Sequence, residues 1–348
     1  MEFQTILREH LERYPLMQVS DCVKLAYQNA LGPRHLASDR PRFLQNLLEE
    51  WGNIPAEEGA EQLEPIGNSM SRFHLTGTDN LPAATLLLAN LVSMTARRCR
   101  GTPQKLEENL AVLETLELPG MAEGLSEYRR RGCPPVRHSQ IFRDAYHPHY
   151  RLIRTEYAGF FPALLRIAEL AQKGEPAVVA VDGCCGSGKT GFAKLVQSLF
   201  PCNVIHMDDF YLPQKKRPAN WMETPGGNMD LKRILREVLI PAGTGDPIYY
   251  RPFDCRSGAP GDAVFLPACP LTIVEGSYSQ HPLLAPRYDL RLFFTCSKEE
   301  QRRRLERREG EHFAAYESRW IPLEEHYIQK CHPETGSACV VDTTAFFP

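Results

Sequence analysis

The 348-residue sequence has no Cys-x-x-Cys pair, no apolar run long enough to cross a bilayer, no strong excess of either charge, no internal repeat and no low-complexity tract. Each absence excludes something. Eleven cysteines are present, an odd number at irregular spacing. A disulfide framework is therefore not expected, and reduced thiols in a cytoplasmic protein are. The start, Met1-Glu2-Phe3-Gln4, does not read as a signal peptide, and no membrane association is expected. A formal charge of −3 gives no global pull toward nucleic acid. The length favours two domains as a prior and is ample for a sizeable core.

The most informative stretch is Val178-Val179-Ala180-Val181-Asp182-Gly183-Cys184-Cys185-Gly186-Ser187-Gly188-Lys189-Thr190, followed by an amphipathic segment to Phe200. An apolar strand candidate ends in a glycine-rich turn, and the turn opens a helix candidate. The turn fits the phosphate-binding pattern G-x-x-x-x-G-K-[ST]. Gly183, Gly186 and Gly188 let successive N–H groups face an anion, with Ser187 between them. The helix adds its positive end. Lys189 is placed to reach the β- and γ-phosphates of a nucleotide, and Thr190 to offer a hydroxyl to magnesium. The cofactors expected are ATP and Mg2+.

Residues 1–150 read as a mainly helical domain. Phe3, Ile6, Leu7 and Leu11 share a helical face, and further helices are marked by Val23–Tyr27, by Phe43, Leu44, Leu47 and Leu48, by Leu81-Pro82 through Met94, and by Leu106, Leu110, Leu113 and Leu116. Two polar features stand out. One is Gly32-Pro33-Arg34-His35; the other is Arg137-His138-Ser139 with Arg143, Tyr146, His147, His149, Tyr150 and Arg151. Helix caps and hydrogen-bonded packing explain them better than a ligand site. His147-x-His149 lacks a third clustered metal ligand. The basic runs Arg97-Arg98-Cys99-Arg100 and Arg129-Arg130-Arg131 stand among acidic residues and read as solvated helix faces.

Residues 151–348 read differently. After a helix candidate from Ala158 to Lys173, Gly174-Glu175-Pro176 breaks the chain. Strand candidates at 177–182, 203–207, 271–275, 290–295 and 338–341 then alternate with helix candidates at 189–200, 230–239 and 298–309. This predicts an α/β fold with a five-stranded parallel sheet covered by helices on both faces, and chemistry at the carboxyl ends of the strands. Acids stand at those ends: Asp208-Asp209-Phe210-Tyr211 after the second strand, and Glu275-Gly276 after the third. One such acid can help hold magnesium and another can take a proton from an attacking hydroxyl.

Gly183–Thr190, Asp208-Asp209-Phe210-Tyr211 and Val274-Glu275-Gly276, in this order, resemble the uridine kinase and phosphoribulokinase family of P-loop small-molecule kinases. The resemblance covers about residues 176–345 and leaves residues 1–150 unexplained. It implies transfer of the γ-phosphate of ATP to a hydroxyl of a small molecule, with Asp208 as catalytic base and Glu275 as the acid associated with magnesium. Asn220–Pro225 and Tyr249–Arg256 resemble the segments that hold the acceptor in uridine kinases. There Glu223 stands in place of an Asp, Thr224 in place of a His, and Asp254 in place of another His, while Tyr249 and Arg256 match.

Read from the residues alone, Trp221, Tyr249, Tyr250 and Phe253 offer rings to stack on a flat acceptor. Glu223, Asp254 and Arg256 offer hydrogen bonds, and Tyr211 joins this substrate-binding group. The helix 298–309 carries Arg302, Arg303, Arg304, Arg307 and Arg308, with Arg304 and Arg308 on one face. In kinases of this kind a lid brings arginines to the transferred phosphate.

The expected function is phosphorylation of a nucleoside, with a non-nucleoside alcohol such as pantothenate or glycerate as the alternative acceptor. A nucleotide-dependent regulator and a nucleic-acid end-processing kinase are the readings of another class. N-K-x-D and D-x-x-G are both absent, which counts against a guanine-specific switch. The acidic balance counts against a nucleic-acid groove. The expected partner is a small molecule, and homo-oligomerisation is left open.

Overall fold

The computed structural model describes residues 2–33, 40–55, 62–255 and 257–346. The chain divides into two compact units, the first ending at Gly159 and the second beginning at Phe160.

The first unit is helical with a small sheet. Its helices are α1 (Phe3–Arg13), α2 (Val19–Leu31), α3 (Arg40–Gly52), α4 (Leu81–Arg98), α5 (Pro103–Leu113), α6 (Met121–Arg130) and α7 (Gln140–Tyr146). The strands β1 (Leu63–Gly67), β2 (Met70–His74) and β3 (Tyr150–Arg154) form an antiparallel sheet in the order β1-β2-β3. Helical periodicity does not announce this sheet. Helix α2 is the hub: Cys22, Val23, Leu25, Ala26 and Ala30 are buried in one core with Ile6, Leu7, Leu110 and Leu125. The ends are held chemically. The Asp21 carboxylate accepts the Gln18 N–H at 2.9 Å at the start of α2, and Asn80 and Thr102 cap α4 and α5.

Helix α8 (Thr155–Gln172) carries the chain into the second unit. There β4 (Ala177–Gly183), α9 (Lys189–Leu199) and β5 (Asn203–His206) come first. Next is a helical run made of α10 (Leu231–Ile234), a wider-wound turn at Leu235–Leu239 and α11 (Ile240–Thr244). Two short hairpins follow, with strands β6 (Ile248–Tyr250), β7 (Phe253–Asp254), β8 (Ala259–Pro260) and β9 (Val264–Leu266). The chain closes with β10 (Leu271–Glu275), β11 (Leu290–Thr295), α12 (Lys298–Glu309), α13 (Phe313–Ala315), α14 (Ile321–Cys331) and β12 (Cys339–Asp342).

The main sheet is parallel, in the order β12-β11-β4-β10-β5. Every residue of β4 and β10 is buried, which is why both read as continuous apolar runs rather than alternating ones. The order reverses at β4: β10 and β5 extend to one side, β11 and β12 to the other. That reversal opens a crevice at the carboxyl end of β4, where doubly wound sheets bind ligands. This is the five-stranded parallel sheet the sequence predicts. Among the described residues, no helix is long and apolar enough to cross a membrane.

Candidate functional site

The turn from β4 to α9 is shaped by its glycines. Gly183 has φ +139°, and a Cβ there would meet the Phe294 carbonyl oxygen at 1.9 Å. Gly188, at φ +91°, is the N-cap of α9. Lys189 lies back along the turn, its ammonium donating to the Gly183 and Cys184 carbonyls at 2.7 and 2.9 Å. Burial opposes its charge, but Glu324, Cys184, Asp182 and Glu275 outweigh that and raise its pKa. Under the turn, the buried Asp182 carboxylate accepts from Gly183 N–H, Gln280 N–H and the Tyr327 hydroxyl, each at 2.7 Å. Burial still pushes Asp182 up to about 6.

A cavity of about 790 Å³ opens in front of this turn, within the second unit. Gly186, Gly188, Lys189 and Thr190 line one wall, and Asp208, Tyr211, His206 and Glu275 another. Both acids come from strand ends: Glu275 closes β10, and Asp208 stands just past β5. Thr190 donates its hydroxyl hydrogen to Glu275 Oε1 at 3.1 Å, and His206 Nδ1 lies 2.6 Å from the same oxygen. That contact raises the His206 pKa against its partial burial. Asp208 opens onto the cavity while protein surrounds it on most sides. This enclosure raises its pKa; a hydrogen bond from Tyr211 works against the rise, and Glu275 adds to it.

Other lining residues have no motif in the sequence. Ser277 and Tyr278 follow β10, Tyr316 and Trp320 flank a wide helical turn, and Glu324 comes from α14. Tyr278 holds φ +73°, a region a tyrosine rarely adopts. The rings of Tyr211 and Trp320 lie 6.0 Å apart at 42°.

Several sequence candidates lie elsewhere. Trp221, Glu223, Tyr249 and Asp254 do not line this cavity. The Trp221 ring packs under the Arg217 guanidinium at 4.7 Å. The Glu223 carbonyl lies 3.0 Å from His326 Nε2. Tyr249 is 59% exposed beside its cross-strand neighbour Phe265, and Asp254 Oδ2 accepts from Ser257 N–H at 3.3 Å. Arg256 lies outside the described residues. Gly183 and Ser187 shape the turn from behind rather than facing the cavity.

Arg304 and Arg308 both line the cavity, but their guanidinium groups are used differently. Arg304 is buried and donates to the Gly186 carbonyl at 3.1 Å, to Thr343 Oγ1 at 2.9 Å and to the Thr343 carbonyl at 2.6 Å. It therefore braces the phosphate loop. Arg308 is more open, pairing with Glu309 and lying 5.6 Å over the Tyr316 ring.

In the first unit, the polar residues around 138–151 form a buried network. His138 Nδ1 lies 2.8 Å from Asp21 Oδ1, and His138 Nε2 lies 2.7 Å from the Tyr150 hydroxyl. Gln28 Nε2 donates to that hydroxyl at 3.2 Å, and Arg72 donates to Gln28 Oε1 and to Glu64. His10 and His74 each lie 2.7 Å from Glu64. Apart from His10 Nε2, which approaches Glu64 without a well-aligned hydrogen bond, the members satisfy one another, as burial of so many polar groups demands. His149 and Arg151 pair with Glu50. Among the described residues, no group of three or more His, Cys, Asp or Glu could hold a metal. Arg34 and His35 lie outside the described residues.

No family model matches the chain. Over 76 residues it is 38% identical to nicotinamide riboside kinase of Saccharomyces cerevisiae (strain ATCC 204508 / S288c), a match covering 20% of this chain and 31% of that protein. The chain thus spans about a third of the length of the curated relative it matches. Among solved structures, it aligns with a possible uridine kinase from Bacillus stearothermophilus at 19% identity and a TM-score of 0.40. That alignment covers 52% of this chain and all of the other. The second unit is similar to the uridine-kinase-like P-loop kinases.

Proposed function

We propose that the second unit transfers the γ-phosphate of ATP to a hydroxyl group of a small molecule, most closely a nucleoside. The observation that carries this reading is the convergence of four groups on one cavity. Lys189 and Thr190 come from the glycine-shaped turn, and Asp208 and Glu275 from two neighbouring strand ends. A turn that merely bound an anion has no need of a second acid facing the same space.

Asp208 is positioned to take the proton of the acceptor hydroxyl as its oxygen bonds to the γ-phosphorus and the bond to ADP breaks. Its raised pKa makes it a stronger base than an aspartate at its ordinary pKa. Lys189 neutralises charge on the phosphates, and Arg308, held by Glu309 and Tyr316 at the cavity wall, is the lid arginine that turns toward them. The Thr190 hydroxyl and the Glu275 carboxylate are hard oxygen donors within 3.1 Å of each other. Such a pair suits Mg2+, which keeps several waters and binds through one or two protein oxygens and phosphate. When bound, the ion supplies charge neutralisation between the phosphates.

The aromatic side of the cavity, Tyr211 and Trp320, suits a flat ring, and the 76-residue similarity to a nicotinamide riboside kinase favours a nucleoside over pantothenate or glycerate. The test is acceptor-dependent release of ADP over a panel of nucleosides, including nicotinamide riboside and uridine, with pantothenate and glycerate alongside. Release with a nucleoside alone supports the reading. ATP breakdown at one unchanging rate whatever is added would sink it in favour of a nucleotide-dependent regulator.

A further inference from the structure

We propose that the Glu324 carboxylate is a latch on the phosphate loop, holding the Cys185 N–H until the terminal phosphate of a triphosphate takes its place. This deepens the kinase reading of the same cavity and rests on it.

Glu324 Oε2 accepts the Cys185 N–H at 2.8 Å, and its other oxygen accepts the Ser277 hydroxyl. The residue is 7% exposed and lines the same cavity as Lys189 and Asp208. A carboxylate oxygen and a phosphoryl oxygen seek the same donors, namely loop N–H groups and an ammonium. Glu324 already holds one of those N–H groups. It is also foremost among the charges that keep Lys189 protonated despite burial. The β- and γ-phosphates require that same ammonium.

The position points to the γ-phosphate in particular. Cys185 is in the first half of the loop, away from the N-terminus of α9 that begins at Lys189. Glu324 lines the cavity together with Asp208 and Tyr211, the groups that mark its acceptor end. A diphosphate seated on Gly188, Lys189 and Thr190 stays short of that end, and a third phosphate reaches it. Two anions there repel, so Glu324 must turn aside.

The movement is confined to one side chain. The flanking Leu323 and Tyr327 of α14 are buried, and Tyr327 is bonded to Asp182 beneath the loop. The helix is pinned, and Glu324 alone has an open cavity in front of it.

The test is equilibrium binding of ATP and of ADP, each with Mg2+, to the full-length wild type, Glu324→Gln and Ser277→Ala. Removing the charge is expected to tighten ATP binding about 10-fold while changing ADP binding less than about 2-fold. Ser277→Ala frees the carboxylate from one of its two anchors, so it should shift the ATP-to-ADP ratio the same way by a smaller factor. A merely structural carboxylate would move both nucleotides together. Equal shifts for ATP and ADP, or none, overturn the latch, and Ser277→Ala decides the matter should Glu324→Gln not fold. Wild-type protein that binds neither nucleotide would instead remove the kinase reading itself.

Discussion

Asp208 and Lys189 illustrate how one cavity sets opposite protonation demands. The lysine is buried among acids and stays charged. The aspartate is enclosed beside two carboxylates and is made more basic. A base must hold no proton before the reaction and accept one during it, and a raised carboxylate pKa narrows the gap to the alcohol. Asp208→Asn keeps the shape and the hydrogen bond from Tyr211 but cannot accept the proton. Turnover with the best acceptor should fall roughly 10²–10⁴-fold, in the range of lost general-base catalysis, while ATP still binds. Single-turnover assays beside equilibrium ATP binding check this, and near-normal turnover would take Asp208 out of the base role.

At the scale of elements, α12 shows why a row of arginines does not have one meaning. Arg304 and Arg308 are four residues apart and share a face, as their spacing predicts. The arginine nearer the start of the helix is buried against Gly186 and Thr343, and the other is more open over Tyr316. Lysine at 304 would keep a charge but lose the fork that bonds Gly186, Thr343 and Glu300 oxygens together. Arg304→Lys should therefore lower the melting temperature by several degrees, equivalent to about 2 kcal/mol of unsatisfied buried acceptors. Arg308→Ala should leave melting nearly unchanged and lower kcat. Calorimetry and steady-state kinetics on the two variants separate these outcomes. Equal melting temperatures would show that Arg304 does not brace the loop.

The same scale explains what could be read in advance. The strands of the parallel sheet are legible because burial on both faces demands unbroken apolar runs such as Val178–Val181 and Leu271–Val274. The strands β1 and β2 are not, because they bury Glu64, Ser71 and Arg72. A strand whose inward residues are charged and paired has no apolar alternation to betray it. The loop, Asp208 and Glu275 are legible because each follows a strand within a few residues. Tyr278, Trp320 and Glu324 reach the cavity through tertiary packing of segments with no spacing signature of their own. Of the acceptor segments sought at 221–256, Cys255 lines the cavity while Trp221, Glu223, Tyr249 and Asp254 lie outside its lining. The Trp221 ring packs under the Arg217 guanidinium instead, and Tyr249 stays exposed on β6.

Across the molecule, the buried His138 of the first unit and the buried Asp182 of the second couple to acid with opposite sign. In the first, burial holds His138 down to about 4, with the charges of Arg72 and Lys24 adding to the effect and Asp21 opposing it. Unfolded, a histidine takes its proton near 6.5. Between those values the unfolded chain binds the proton that the fold refuses. The stability contributed by a neutral His138 is therefore present above about pH 6.5 and lost as pH falls toward 4. Glu64, held well below the usual carboxylate range although burial opposes it, is lost next, once pH drops below the unfolded carboxylate value.

In the second unit, burial raises Asp182 to about 6 and also raises Asp208 and Asp209. These groups bind protons more readily folded than unfolded, so their contribution grows as pH falls through 6. Taking the protein from pH 7 to pH 5 should weaken the first unit by about 1–2 kcal/mol through His138, whereas in the second the gain from Asp182, Asp208 and Asp209 offsets the loss from the partly buried His281. Hydrogen exchange read segment by segment, corrected for intrinsic rates, should show protection falling in α2 and β3 but not in β4 and β10. His138→Gln, which cannot take the proton, should flatten the pH dependence of the first unit while leaving that of the second in place. Equal loss of protection in both units would mean that the buried histidine does not govern acid sensitivity.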